Sequence, residues 1–298
     1  MSDSYSPEVL KKFSPTKPFF IGIDSDGCAF DTMELKQKEC FTPNVVKYFD
    51  LQSVSKYARE VCEFVNLYSK WRGQNRFIAL IKDFELLESR PEVRQRNVAL
   101  PDTSALKDWV SKETKLSTSS LREYVAGNPD SFLKQVFAWT EEVDRVVKDM
   151  VKGVGPFPYV AESLEKASKT ADIIIVSATP CEALNREWEE HGLSSYPAVI
   201  AGQEMGSKSE HLQMAAAPHY PAEKILMVGD APGDLKAAES VGAMFYPIVP
   251  GAEEKSWERF YNEALDRFFN ENYTEEYQSE LISDFERHLP SIPSWDHT

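Results

Sequence analysis

Five short apolar runs punctuate the chain: Phe19–Ile23, Asp172–Val176, Ala198–Ala201, Ile225–Gly229 and Ala243–Val249. Each is too short for a core helix and is bounded by turn or helix signals, so each is expected to be a buried strand. Between the later runs lie helical patterns: Cys181–His191 closed by Gly192, Ser207–Ala217, and the segment that follows GDAPGD at 229–234. Strand alternating with helix predicts a parallel sheet.

From about Asn44 to Val151 the period changes and no strand pattern occurs. Helices are expected over Tyr57–Lys70, over Asn75–Ser89 with a stop at Pro91, and around Leu106–Val110. Another starts near Asp130 after the turn signal GNP, with Val136, Trp139, Val143, Val147 and Met150 at helical spacing. These apolar stripes suit the core of a helical bundle better than a cofactor site. Gly153, Gly155, Pro156 and Pro158 mark the return, followed by a helix over Tyr159–Lys169. Residues 1–18 read as a polar lead-in stopped by Pro15 and Pro18. After Gly251, Trp257, Phe260, Ala264 and Phe268 form one helical face, and Tyr277, Leu281, Phe285 and Leu289 form another behind Thr274 as N-cap. The expected architecture is α/β: a Rossmann-like, parallel five-stranded core made of residues 1–32 and 152–298, C-terminal helices included, with an all-helical cap domain inserted over 33–151.

The first run delivers chemistry. It ends in Asp24 and Asp26 with Gly27 behind them, and residues at i and i+2 of an extended segment face the same way. Two carboxylates in one small volume call for a cation or a shared proton. Asp24 could act as covalent nucleophile and Asp26 as general acid and base. A calcium loop starting at Asp24 fails twice, with Ala29 where the sharp-turn glycine belongs and Leu35 where the bidentate glutamate belongs. The second strand leads into Ser177, Lys208 opens a helix, and the fourth strand leads into Asp230 and Asp234. The carboxyl ends of the strands of an open α/β sheet line a single crevice, which would collect this set.

Such a set suits phosphoryl transfer from a monoester to an aspartate. Ser177 and nearby amides would donate to the phosphate, and Lys208 would neutralise it and keep Asp24 ionised. Magnesium would bridge Asp24, the Asp26 backbone carbonyl and Asp230, with Asp234 a further or water-mediated ligand. Ligands made only of oxygen fit magnesium better than zinc.

Composition narrows the partners. A net charge of -15 argues against nucleic acid. The 42% hydrophobic content is ample for a core, yet no run reaches the length of a membrane span, and the N-terminus lacks the apolar core of a signal peptide. Cys28, Cys40, Cys62 and Cys181 show no metal-binding spacing and are expected as free buried thiols, consistent with a cytoplasmic protein. The five histidines never fall at HExxH spacing, with His211 and His219 expected at the surface; VSATP is not the GxSxG elbow, and GQEMGSKS lacks the glycine spacing of a P-loop. In the helical region WRGQNR places Arg72 and Arg76 in a break between helices, where they could reach an anionic substrate.

In order, DSDG, IIIVSAT, Lys208 and VGDAPGD resemble the four motifs of the haloacid dehalogenase superfamily over Phe19–Ala29 and about Tyr159–Val249. The resemblance implies Asp24 as nucleophile, Asp26 as acid and base, Ser177 and Lys208 as phosphate binders, and Asp230 with Asp234 at the metal end. It also implies that the helical insert is a cap that sets specificity. Cys28 and Ala29 stand where many members carry Thr and Leu, and Lys208 lacks the usual following proline. The expected function is a magnesium-dependent phosphatase acting on a small phosphorylated metabolite. The alternatives are a phosphomutase of the same superfamily and a non-catalytic binding protein that retains the fold.

Overall fold

In the computed structural model, which describes residues 5–297, the apolar runs become parallel strands. They are β1 (Phe19–Ile23), β2 (Ala171–Val176), β3 (Val199–Ala201), β4 (Ile225–Gly229) and β5 (Met244–Pro247), arranged β3-β2-β1-β4-β5 in one sheet. β1 is central, with Ile21 level with Ile173 on one side and Leu226 on the other. Both faces of the sheet are covered. Ile21, Ile23, Ile173, Ile175, Leu226 and Val228 enter one core cluster, while Phe20, Ile174, Val176 and Met227 enter another. This is why the runs are continuous and not alternating: every residue of the three inner strands β2, β1 and β4 is buried, whichever way the pleat points it. Each large side chain so buried contributes about 1.5–3 kcal/mol.

The chain forms two compact units, one holding the chain up to Thr32 with Gly153–Leu289, the other Met33–Lys152 with the residues from Pro290. In the α/β unit, Gly22 of β1 allows the helix Lys208–Ala215 to approach. A Cβ there would sit 3.1 Å from both Leu212 and the Met227 sulfur. Trp257, Phe260 and Phe268 of the C-terminal region are buried in the first cluster. The helix Glu275–His288 straddles the two faces, with Tyr277 and Leu281 in the first cluster and Phe285 in the second. Thr274 caps it, Oγ1 accepting from Tyr277 N at 3.2 Å.

The lead-in is more than a polar tail. Pro7–Lys11 is a helix capped by Ser6, and Leu10 and Phe13 join the second cluster. Five residues are too few to display a helical period. Asp172 anchors the segment between that helix and β1, its carboxylate accepting from Thr16 N (2.7 Å), Thr16 Oγ1 (2.6 Å) and Lys17 N (2.9 Å), and also from Tyr220 Oη (2.7 Å). Those four donors hold the carboxyl below its ordinary range against the opposing effect of burial.

The helical unit contains Ser55–Leu67, Arg76–Ser89, Ser104–Lys112, Thr118–Gly127 and Ser131–Met150. Caps at Asn75 and Asp130 start two of these, accepting from Phe77 N (3.0 Å) and Leu133 N (2.9 Å). Their apolar stripes meet around Phe77, Trp109 and Trp139, with Phe77 edge-on to Trp109 at 5.0 Å. The stretch Lys36–Phe41 is a π-helical turn. The tail after Leu289, assigned from sequence to the α/β core, packs instead with this unit. Pro290 and Pro293 stop the preceding helix, and the Trp295 ring lies 4.4 Å from Arg90 Cζ, which faces Tyr57 at 4.8 Å. Among the described residues no helix is long and apolar enough to cross a membrane.

Candidate active site

Strand register assembles the site. Ile23 pairs with Ile175 and with Val228, so Asp24, just past β1, lies within one residue of the level of Ser177, past β2, and of Asp230, past β4. Asp24 N donates to Val228 O at 3.0 Å, its Oδ1 accepts from Ser25 N at 2.8 Å, and its Oδ2 accepts from Lys208 Nζ at 2.7 Å. Asp234 lies in the first turn of the helix Pro232–Glu239, where Oδ2 accepts from Ala231 N at 3.0 Å and satisfies one of the amides orphaned at a helix start. Its Oδ1 accepts from the same Lys208 Nζ at 2.6 Å. Lys208 is the first residue of its helix, behind a Ser207–Glu210 capping box.

Asp24, Asp230 and Asp234 are all buried, and each offers an oxygen within 4.8 Å of the others. Burial pushes Asp24 up to about 6, with Lys208 opposing and Asp230 adding to the rise. Burial likewise pushes Asp234 up to about 6, again against Lys208 and with the help of Asp24. For Lys208, burial disfavours the charge, but Asp234, Asp24 and Asp230 together hold the ammonium well above its ordinary range. One ammonium among three carboxylates leaves negative charge that a divalent cation would neutralise. The donors of the trio are all oxygen, which fits magnesium, manganese or calcium and disfavours zinc.

Asp26 is not a member of that trio. Its carboxylate accepts from Thr32 Oγ1 and from Thr179 Oγ1, both at 2.6 Å, one on each oxygen. The strand argument for a common facing of Asp24 and Asp26 does not apply, because β1 stops at Ile23. Beyond it the chain turns, with Ser25 O accepting from Ala29 N (2.9 Å) and Phe30 N (3.0 Å) and Gly27 at φ 74°. A turn sets its side chains by its own hydrogen bonds and not by pleating. Ser177, nine-tenths buried or more, accepts through Oγ from Thr179 N at 3.2 Å, which leaves its O–H to serve as a donor.

Thr32 and Thr179 are the residues that sequence reasoning missed. Thr179 lies two residues past Ser177 in the same SATP turn, and that proximity was a usable signal. Thr32 reaches Asp26 across six residues of irregular backbone, for which no pattern exists.

The helical-unit arginines have other duties. Arg72 is 3% exposed, and its Nη1 donates to Leu67 O at 2.9 Å. Arg76 donates to Thr140 Oγ1 (2.9 Å) and Asp144 Oδ1 (2.6 Å) and lies over the Phe41 ring at 5.0 Å. Both guanidinium groups tie the unit together, so the expectation of arginines presented from an open break is corrected. His211, expected at the surface, is 1% exposed, and burial holds it neutral by lowering its pKa to about 4.

No protein-family model matches the chain, and no curated protein does. Solved structures similar to it include a candidate β-phosphoglucomutase from Thermotoga maritima, at 16% identity over 83% of this chain and 99% of that one, with a TM-score of 0.41. A haloacid dehalogenase-like family hydrolase from Xanthomonas campestris is similar at 12% identity over 87% and 96%, TM-score 0.44. A candidate phosphoglycolate phosphatase from Lactobacillus delbrueckii subsp. bulgaricus is similar at 14% identity over 85% and 99%, TM-score 0.48. The likeness is one of fold. The chemistry of the site rests on its own geometry.

Proposed function

We propose that this chain is a magnesium-dependent phosphatase that hydrolyses a small phosphomonoester through an aspartyl-phosphate on Asp24. One observation carries the reading: a single ammonium, Lys208, is hydrogen-bonded to two members of a buried trio of aspartates at the ends of the central strands. A buried cluster of like charge is costly as a structural device, and a site that handles a phosphoryl group and its cation gives it a purpose.

Asp24 Oδ attacks phosphorus, and the bond from phosphorus to the ester oxygen breaks. Asp26 supplies the proton that turns the leaving oxygen into an alcohol. Water then attacks the phosphorus of the acyl phosphate, Asp26 takes its proton, and phosphate leaves with Asp24 restored as a carboxylate. Thr32 and Thr179 hold Asp26 by both oxygens, and a threonine hydroxyl can reverse to accept from the protonated acid, so one clamp serves both halves of the cycle. The Ser177 hydroxyl and Lys208 would bind the phosphoryl oxygens. Magnesium, held by Asp24, Asp230, Asp234 and the Asp26 backbone carbonyl, would supply charge neutralisation at those oxygens. A cytoplasmic setting belongs to the same reading, supported by four free, buried cysteines.

The test is phosphate release from a panel of sugar phosphates, phosphoglycolate and nucleotides, with and without magnesium, beside Asp24→Asn. Metal-dependent release that the substitution abolishes is the expected result. Equal release from both proteins would overturn the mechanism. Phosphate arriving on another hydroxyl instead of in solution would make the enzyme a mutase.

A further inference from the structure

Within the helical unit lies a cavity of about 10 Å³ lined by four residues that each carry a buried polar atom with no hydrogen-bond partner in the protein beyond the weak thiol of Cys62, which faces Thr42 and Asp83. The four atoms are Gln37 Oε1, Thr42 Oγ1, Asp83 Oδ1 and Trp139 Nε1, from residues that are 8%, 1%, 3% and 1% exposed. Folded proteins leave few buried polar atoms unpaired, because each loses its bonds to water without replacement. Four around one small space point to something that occupies it.

The wall comes from three places in the chain. Gln37 belongs to the π-helical turn Lys36–Phe41, which runs straight into Thr42; Asp83 lies on Arg76–Ser89 and Trp139 on Ser131–Met150. π-helical turns are rare and concentrate at functional positions. The chemistry of the four atoms is complementary: Trp139 N–H can only donate, Gln37 Oε1 can only accept, as can Asp83 Oδ1 with the carboxyl's proton on its other oxygen, and the Thr42 hydroxyl does either. The occupant therefore accepts two hydrogen bonds and donates two. An anion is refused by Gln37 and Asp83, and a metal ion by the indole N–H. A cavity of about 10 Å³ is close to the least that holds one water molecule and holds nothing larger.

We infer that this cavity is a specific binding site for one water molecule, which accepts from Trp139 Nε1 and Thr42 Oγ1 and donates to Gln37 Oε1 and Asp83 Oδ1. Bound there, the water ties the π-helical turn to two of the long helices of its unit. It adds to the bonds that Arg76, also on the cavity wall, already makes between those two helices, to Thr140 Oγ1 and Asp144 Oδ1.

Thr42→Val tests this in the full-length chain, because it exchanges hydroxyl for methyl at nearly constant shape. The midpoint of thermal unfolding is expected to fall by several degrees as the water loses a donor. If the cavity is dry, the same exchange removes an unpaired hydroxyl, and an unchanged or raised midpoint overturns the proposal. A crystal structure of the wild-type chain decides independently of how the variant folds. A single water within hydrogen-bond distance of at least three of the four atoms supports the site; an empty cavity, a metal ion, or side chains turned to pair with one another overturns it.

Discussion

Gly229 has no side chain where Asp234 places its own. A Cβ on Gly229 would run into the Cβ and Cγ of Asp234, which are near the backbone and have little freedom to move aside. The last residue of β4 thus lets the first turn of the following helix fold back over the strand end. Gly229→Ala is expected to displace the Asp234 carboxylate from Lys208 and to lower kcat by about 100-fold, the scale of an ångström-sized misplacement in an active site. Steady-state kinetics beside circular dichroism would check it: a folded variant with wild-type kcat would remove Asp234 from the working site.

Lys208 is the counter-charge of the acidic trio, and Lys208→Met leaves three buried carboxylates without it. Breaking a buried pair of this kind costs about 3 kcal/mol. Magnesium should restore part of that loss by binding the folded state. The unfolding midpoint of the variant is therefore expected to rise more on adding magnesium than that of the wild type. Melts with and without the metal would show it, and no response in either protein would argue that the trio is not a cation site.

Thr179 is expected to act as a positioning residue for Asp26. Thr179→Val removes the hydroxyl that holds Oδ2 and should lower kcat by about 10- to 100-fold with little change in KM, because the lost bond orients a proton carrier and does not bind substrate. Thr179→Ser should restore most of the rate. If serine rescues no better than valine, the hydroxyl is not what matters.

Asp83 gives the helical unit a pH dependence. Burial raises its carboxyl from 3.8 to about 7, with hydrogen bonding to Cys62 and Asn66 only partly opposing. Between those values the folded chain holds a proton that the unfolded chain has released. Stability therefore falls as pH rises from about 4 to about 7 and then levels off, by an amount on the order of a few kcal/mol. Asp83→Asn, which cannot ionise, should flatten that slope and gain on the wild type at pH 8. Unfolding midpoints of both proteins across this range would settle the sign.

Local order is what the sequence made legible. The inner strands are short runs buried on both faces and the edge strands are nearly so, so β1 to β5 were visible as apolar segments, and the polar residues past β1, β2 and β4 marked the crevice. The start signals at Asp130 and Thr274 are equally local: Thr274 caps its helix as expected, and Asp130, near which a helix was expected to begin, caps it with its side chain. The five-residue helix at Pro7–Lys11 was hidden because a helix shorter than two turns shows no period. His211 lies with Leu212 and Ala215 on the buried face of an eight-residue helix, and a polar side chain within so short an apolar stripe reads as exposed. The nearness of Thr179 to Ser177 marks it as a site residue, but its bond to Asp26 joins residues 153 positions apart, and spacing does not name that partner.

The tail after Leu289 changes what counts as a separable piece of this protein. An inserted domain normally leaves its host through two linkers and can be cut out between them, but here the chain passes between the units three times, after Thr32, after Lys152 and after Leu289. A fragment ending at Lys152 would lack Trp295, whose ring faces Arg90 at 4.4 Å and also packs edge-on to Phe64 at 5.4 Å. Arg90 would then keep Glu60 and Tyr57 but lose one of its aromatic contacts. The natural excision product is thus a stitched one, residues 33–152 joined to the last nine residues of the chain.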